Sequence, residues 1–292
     1  MNLFCNEYKE DIKKQEGKYD PRNTLNDLTG KEWLKLTASF WLSEKCTLDK
    51  DALKHPAPFL VKDIQKLISL FTKKGMKVLD PFCGSGTTLL AASLLERQSI
   101  GYDLSAEYKA LALQRLQKIG AKNYSYELGD NRGLLKKLET QSIDYIVSSP
   151  PYFNILKNDS KGLRADKSHR GFRNGARSGV LGYEGDSKEN LENCEDYESF
   201  LRALSEVFTE CKRVLRNKKY LSIVISDFTI NKQEVNVTGN IIDLMIDIGF
   251  KFVGNVALLQ NNKPLYPFGY PYAYKINHHN QNILNFMKQE NV

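Results

Sequence analysis

The chain has 292 residues, 41% of them hydrophobic, which is enough for one large domain with a real core. No run approaches the roughly 18 apolar residues of a membrane span. The start, Met1–Asp20, is rich in Lys, Glu and Asp and lacks the apolar stretch of a secretory signal, so a cytoplasmic protein is expected. A net charge of +7 permits a polyanionic partner. The five cysteines are scattered without a C-x-x-C pair and the four histidines lack ligand spacing, which points to free thiols and away from a disulfide framework or a metal site.

In chain order, residues 1–30 form a polar N-terminal extension. Lys31–Trp41 is mixed, with two tryptophans that need a surface to bury against. His55-Pro-Ala-Pro58 leads into a predicted amphipathic helix over 61–72, with Ile64, Leu67, Ile68 and Phe71 on one face. A strand is predicted at 77–80, then a helix at 88–96, a strand at 99–104 and a helix at 106–119. A third strand is predicted at 124–128, ending at Gly129-Asp130, followed by a short helix at 134–138 and a fourth strand at 143–147. Residues 153–190 are rich in Gly, Lys and Arg and read as a long functional insertion. A helix at 198–215, a buried strand at 220–226, a helix at 237–248 and a closing pair of strands at 250–259 and 282–287 complete the pattern. The alternation implies an α/β, Rossmann-like doubly wound, mostly parallel sheet, with residues 31–292 as one domain.

Ligands of such a sheet sit beyond the carboxyl ends of its strands, and the chemistry-bearing residues cluster there. Asp80 ends the first strand and opens the loop D-P-F-C-G-S-G-T-T over Asp80–Thr88. Gly84 and Gly86 let backbone pass close to a ligand. Asp103, some twenty residues on, suits two ribose hydroxyls, and Asp130 suits an adenine amino group. The phosphate-loop lysine is absent, and Leu89 stands where a dinucleotide fingerprint needs its third glycine, so a nucleoside cofactor without phosphates fits best. S-adenosylmethionine is such a molecule.

The fourth strand ends in Ser149-Pro150-Pro151-Tyr152. Two fixed φ angles make a rigid corner. A flat, amine-bearing ring can stack on Tyr152 while its amino hydrogens meet the Ser149 hydroxyl and the Pro150 carbonyl. Taken together, the loop and the tetrapeptide resemble the amino-methyltransferases of DNA. Their cofactor motif reads D-P-F-x-G-S-G-T-T and their catalytic motif [DNS]-P-P-[YFW]. The segments H-P-A-P-F at His55–Phe59, G-x-D-L at Gly101–Leu104 and the stretch from Lys263 to Met287 also fit. The likeness covers roughly residues 31–290.

The resemblance implies the S-adenosylmethionine-dependent methyltransferase fold. It implies cofactor contacts from Asp80, Phe82, Cys83, Gly84, Gly86, Thr87, Asp103, Leu104 and Asp130, and catalysis by Ser149, Pro150, Pro151 and Tyr152. The serine form of the motif is typical of cytosine-N4 enzymes and the aspartate form of adenine-N6 enzymes. The implied activity is therefore cytosine-N4 methylation of duplex DNA with base flipping, within a restriction–modification system. An adenine-N6 enzyme, an RNA enzyme and a non-catalytic DNA-binding subunit are the alternatives. A cognate restriction endonuclease and a second copy of the chain are compatible partners. Tyr266, Phe268 or Tyr270 would supply the wall opposite Tyr152. No Pro-Cys dipeptide occurs, so Cys83 reads as a packing residue. Between Lys157 and Arg177, seven basic residues against Asp159 and Asp166 leave a net charge of +5, and Lys157, Arg164, Arg170, Arg173 and Arg177 are the candidate DNA contacts.

Overall fold

A computed structural model describes residues 17–52, 58–153, 191–230, 233–261 and 263–290. The elements are α1 (Gly30–Leu36), β1 (Phe40–Leu42), α2 (Val61–Phe71), β2 (Lys77–Asp80), α3 (Thr87–Leu94), β3 (Gln98–Asp103), α4 (Ala106–Lys118), β4 (Tyr124–Leu128), α5 (Asn131–Leu135) and β5 (Ile143–Ser148). They continue with α6 (Tyr197–Val214), β6 (Leu215–Ile225), β7 (Phe228–Ile230), β8 (Gln233–Val235), α7 (Val237–Asp247), β9 (Phe250–Leu259) and β10 (Asn280–Lys288). Among the described residues, eight strands form one sheet in the order β1-β9-β10-β6-β5-β2-β3-β4, and β7 and β8 form a separate hairpin. The run β4-β3-β2-β5-β6 is parallel, and β10 alone runs antiparallel to its neighbours β6 and β9.

Successive strand residues point to opposite faces, and the core divides accordingly. Leu79 and Ile146 join the cluster with Phe200, Leu204, Phe208 and Ile241, beneath α6 and α7. Val78, Tyr145 and Val147 face the other way, onto Ile64, Leu67 and Ile68 of α2. α6 shows why such helices form: its buried residues Phe200, Leu204, Val207, Phe208, Cys211 and Val214 recur at three- and four-residue spacing, and Asp196 caps it by accepting from the Ser199 amide. The result is the helix–sheet–helix architecture expected of the alternation.

Four details depart from the sequence expectation. The mixed stretch at 31–41 is α1 followed by the edge strand β1. Trp41 is buried there, whereas Trp33 stays 39% exposed. The short helix expected at 134–138 starts earlier, at Asn131, because the Asp130 carboxylate accepts from the Arg132 amide and caps it. β6 begins at Leu215, paired with Ile143, so α6 runs into a strand without an intervening loop. Its polar start, Arg216–Lys219, hides the strand from a hydrophobicity pattern. Arg216 there pairs with the buried Asp144 at 2.5 Å. The hairpin β7–β8 was not expected at all.

A buried polar chain ties three strands. Tyr145 Oη donates to Ser222 Oγ at 2.8 Å, and Ser222 Oγ donates to Asn285 Oδ1 at 2.7 Å. Ser222→Ala strands two buried polar groups, whereas Tyr145→Phe leaves the Ser222–Asn285 bond intact. Ser222→Ala is expected to cost about 2–4 kcal/mol in urea unfolding and Tyr145→Phe about 1 kcal/mol. Equal costs would show that the three groups do not act as a chain.

Candidate active site at the carboxyl edge of the sheet

β2 lies between β3 and β5, so the chain moves outward in both directions from it and a crevice opens at its carboxyl end. Asp80 stands at that point and is fully buried. Its Oδ2 accepts from Thr88 Oγ1 at 2.5 Å, and its Oδ1 accepts from the Phe82 amide and from Ser148 Oγ, each at 3.1 Å. Burial pushes its carboxyl up to about 6, against the pull of these donors. The sequence reading gave Asp80 a direct cofactor contact. Its side chain is enclosed by its own loop, which it holds.

The glycine loop is packed from behind. Gly86 has φ +76° and opens α3, and a Cβ there would lie 2.6 Å from that of Ala112. A Cβ on Gly101 would lie 2.4 Å from Cys83 Sγ, so that glycine seats the thiol. The Cys83 thiol is buried and its pKa is raised well above the usual range, chiefly by desolvation, which agrees with a packing role. Thr87 is also buried and its hydroxyl donates to the Phe59 carbonyl at 3.3 Å. Phe82 packs against the core cluster under α6.

Three supporting residues were not foreseen. Arg115 of α4, 2% exposed, donates through Nη1 to the Ser85 carbonyl at 2.5 Å, to Ser85 Oγ at 3.1 Å and to Thr87 Oγ1 at 2.9 Å. The Tyr126 hydroxyl donates to the Gly84 carbonyl at 2.8 Å, and Asn131 Nδ2 donates to the Pro81 carbonyl at 2.9 Å. The available signal was an arginine set inside the buried stripe Tyr108, Leu111, Ala112 and Leu116 of α4.

The acidic strand ends come out differently. Asp103 Oδ2 accepts from the Gly84 amide at 2.8 Å and its Oδ1 from the Ser105 amide at 2.9 Å. The carboxylate is thus fixed between the glycine loop and the start of α4. Leu104, next in chain, is 37% exposed beside it. Asp130 is more heavily committed: Arg132 donates to it through its amide, through Nε to both oxygens and through Nη2 at 2.8 Å. An adenine amino group would have to share that carboxylate with a guanidinium.

Ser149 and Pro151 are half-buried at the end of β5, one residue beyond the Ser148 that bonds Asp80, while Pro150 is buried. Tyr152 is 8% exposed, its ring edge-on to Phe228 at 5.7 Å. Gln281 Nε2 donates to Tyr152 Oη at 3.4 Å, and Gln260 Nε2 to Gln281 Oε1 at 2.9 Å. Tyr266 and Phe268 rest on each other at 5.5 Å in the connection from β9 to β10, and Tyr270 there is 79% exposed. Gln260 and Gln281 join the base of that connection to Tyr152. The candidate DNA contacts Lys157, Arg164, Arg170, Arg173 and Arg177, like His55, lie outside the described residues.

The Asp80 pKa has a testable sign. A carboxyl raised in the folded state favours folding below its unfolded pKa and loses that contribution as pH rises through about 6. Relative to Asp80→Asn, the wild-type chain should therefore lose up to about 3 kcal/mol of unfolding free energy between pH 4 and pH 7, at roughly 1.4 kcal/mol per pKa unit. A difference that stays flat across this range would place the Asp80 pKa near its ordinary value.

Comparisons with known proteins agree with this geometry. Residues 4–114 match the DNA methylase family and residues 72–242, more than half of the chain, match a methyltransferase domain. The type II methyltransferase M2.DpnII of Streptococcus pneumoniae is 39% identical over 99 residues, 34% of this chain and 35% of that protein. The tRNA (guanine(10)-N2)-dimethyltransferase of Methanothermobacter thermautotrophicus is 31% identical over 108 residues, 37% of this chain and 31% of that protein. The chain thus spans about a third of the length of these curated relatives. The crystal structure of TrmN from Thermus thermophilus shares the fold, with a TM-score of 0.50 at 16% identity over 83% of this chain and 52% of that one. The loop at Asp80, the crevice at β2 and the match over 72–242 lead to one assignment: the chain belongs to the methyltransferase-domain family, whose methyl donor is S-adenosylmethionine, and its residues 4–114 are similar to the DNA methylases.

Proposed function

We propose that the chain methylates the exocyclic N4 of cytosine in duplex DNA, as the modifying component of a restriction–modification system. The observation that carries this reading is the position of Ser149-Pro150-Pro151-Tyr152, which leaves β5 immediately after Ser148, the residue hydrogen-bonded to the anchor of the glycine loop. Bound S-adenosylmethionine supplies an electrophilic methyl group. Asp103 would accept the ribose hydroxyls, Gly84–Gly86 would bring backbone alongside, and Phe82 and Leu104 would flank the adenine. Asp130 accepts the adenine amine, sharing its charge with Arg132.

The target amine needs activation, because its lone pair is conjugated into the ring. Ser149 Oγ and the Pro150 carbonyl accept its two hydrogens and favour a pyramidal nitrogen. After the nitrogen gains its fourth bond, its extra proton leaves along one of these hydrogen bonds. Tyr152 holds the ring inside the crevice, which requires the base to leave the duplex stack. The type II relative supports the restriction–modification setting. DNA, a cognate endonuclease and a second copy remain the proposed partners. The tRNA relative favours a second reading, RNA guanine N2, since that group is also an exocyclic amine.

Four measurements bear on this. Asp103→Asn is expected to lower S-adenosylmethionine affinity at least tenfold by calorimetry while the melting temperature moves little, since a hydrogen bond to a charged group is worth about 1.5–3 kcal/mol. Unchanged affinity removes Asp103 from the site. Ser149→Ala is expected to slow transfer by about one to three decades, in the range of single polar contacts made to a transition state. Tyr152→Ala should weaken capture of the base by about 1–3 kcal/mol, with Tyr152→Phe largely restoring it. Nucleoside mass spectrometry after incubation with labelled cofactor and DNA should find N4-methylcytosine. Finding only N6-methyladenine would move the target to adenine, and labelling of RNA alone would establish the second reading.

A further inference from the structure

The connection from β9 to β10 leaves the sheet at the same carboxyl edge as β5, because β9 runs parallel in direction to β6 and β5. It is a closed, braced structure. Gln260 N donates to the His279 carbonyl at 2.7 Å across its base, and Asn277 clasps the Tyr266 backbone, accepting from its amide at 3.0 Å and donating to its carbonyl at 2.9 Å. At the tip, the amides of Tyr272 and Ala273 both donate to the Gly269 carbonyl at 2.7 Å. Gly269 has φ +76°, and a Cβ there would lie 2.2 Å from the Ala273 carbonyl oxygen, so glycine is required for the turn.

This braced turn presents aromatic rings to water. Tyr270 is 79%, Tyr272 94% and Tyr274 91% exposed. Rings held out by a hydrogen-bonded turn contribute little to the core, and exposed apolar clusters of this kind mark interaction surfaces. The charge of the segment suits a polyanion: between Gln260 and His279 stand Lys263 and Lys275 and no Asp or Glu. Glu234, which reaches the base of the connection, lies 2.5 Å from His278. The brace is also joined to the catalytic tetrapeptide through Gln260, Gln281 and Tyr152.

We infer that the turn Gly269–Tyr274 is a nucleobase-stacking surface, on which Tyr272 and Tyr274 take up bases left unstacked beside the target. The inference rests on the nucleic-acid reading above and adds a contact outside the transfer site. Every base has a π-face, so such a surface binds without sequence preference, and each stacked base contributes enough to be read as a change in affinity.

The test uses the full chain and fluorescein-labelled 20-mers of mixed sequence, one single-stranded and one duplex with a central mismatched bubble, at fixed salt. The double variant Tyr272→Ala/Tyr274→Ala is expected to bind both at least tenfold more weakly. Tyr272→Phe/Tyr274→Phe should bind within about twofold of wild type. Cofactor affinity and melting temperature should be unchanged in both. An alanine variant that binds as well as wild type overturns the stacking surface and leaves the methyltransferase reading intact. A phenylalanine variant as weak as the alanine one also overturns it, since the hydroxyls would then carry the contact. A wild-type chain that binds cofactor but neither oligonucleotide overturns the surface together with the nucleic-acid reading.

Discussion

One buried carboxylate holds the whole site in register. Asp80 gathers the end of β2, the backbone of the loop at Phe82, the first turn of α3 at Thr88 and the last residue of β5 at Ser148. Three donors, two from the loop that follows it and one from β5, converge on its two oxygen atoms. The glycine loop and the tetrapeptide are neighbours because of it. Enclosing a carboxylate costs free energy unless its lone pairs are filled, and here the donors offset that cost only in part, as the raised pKa shows.

Behind this anchor stands a layer of buried polar groups whose function is geometric. Arg115, Tyr126 and Asn131 each bond a carbonyl of the Pro81–Ser85 backbone. Turn carbonyls at a strand end would otherwise face the interior unpaired. Filling them from α4, β4 and α5 holds the turn from behind. The same economy recurs at Asp103, whose carboxylate fastens both Gly84 and Ser105.

Much of this was readable from the chain. β2, β4 and β9 matched their expected spans because each is bounded by clear turn signals. The two motifs were readable because each is contiguous. What escaped was whatever depended on distant partners. β1 is three residues long and pairs with the segment at Ala257–Leu259, far along the chain. The polar start of β6 earns its place by pairing with Ile143 and by the Arg216–Asp144 ion pair, neither of which leaves a hydrophobic signature. The commitment of Asp130 to Arg132 is local, yet nothing in a D-x-R spacing distinguishes a clamp from a free acid.

The seat of Cys83 against Gly101 has a consequence for reactivity. The thiol is 5% exposed, sealed beneath the loop, and its thiolate is strongly disfavoured. Modification by an alkylating or oxidising agent needs the turn to lift away from β3 first. Its rate therefore reports how often the loop opens, which makes this inert sulfur a built-in clock for the breathing of the site.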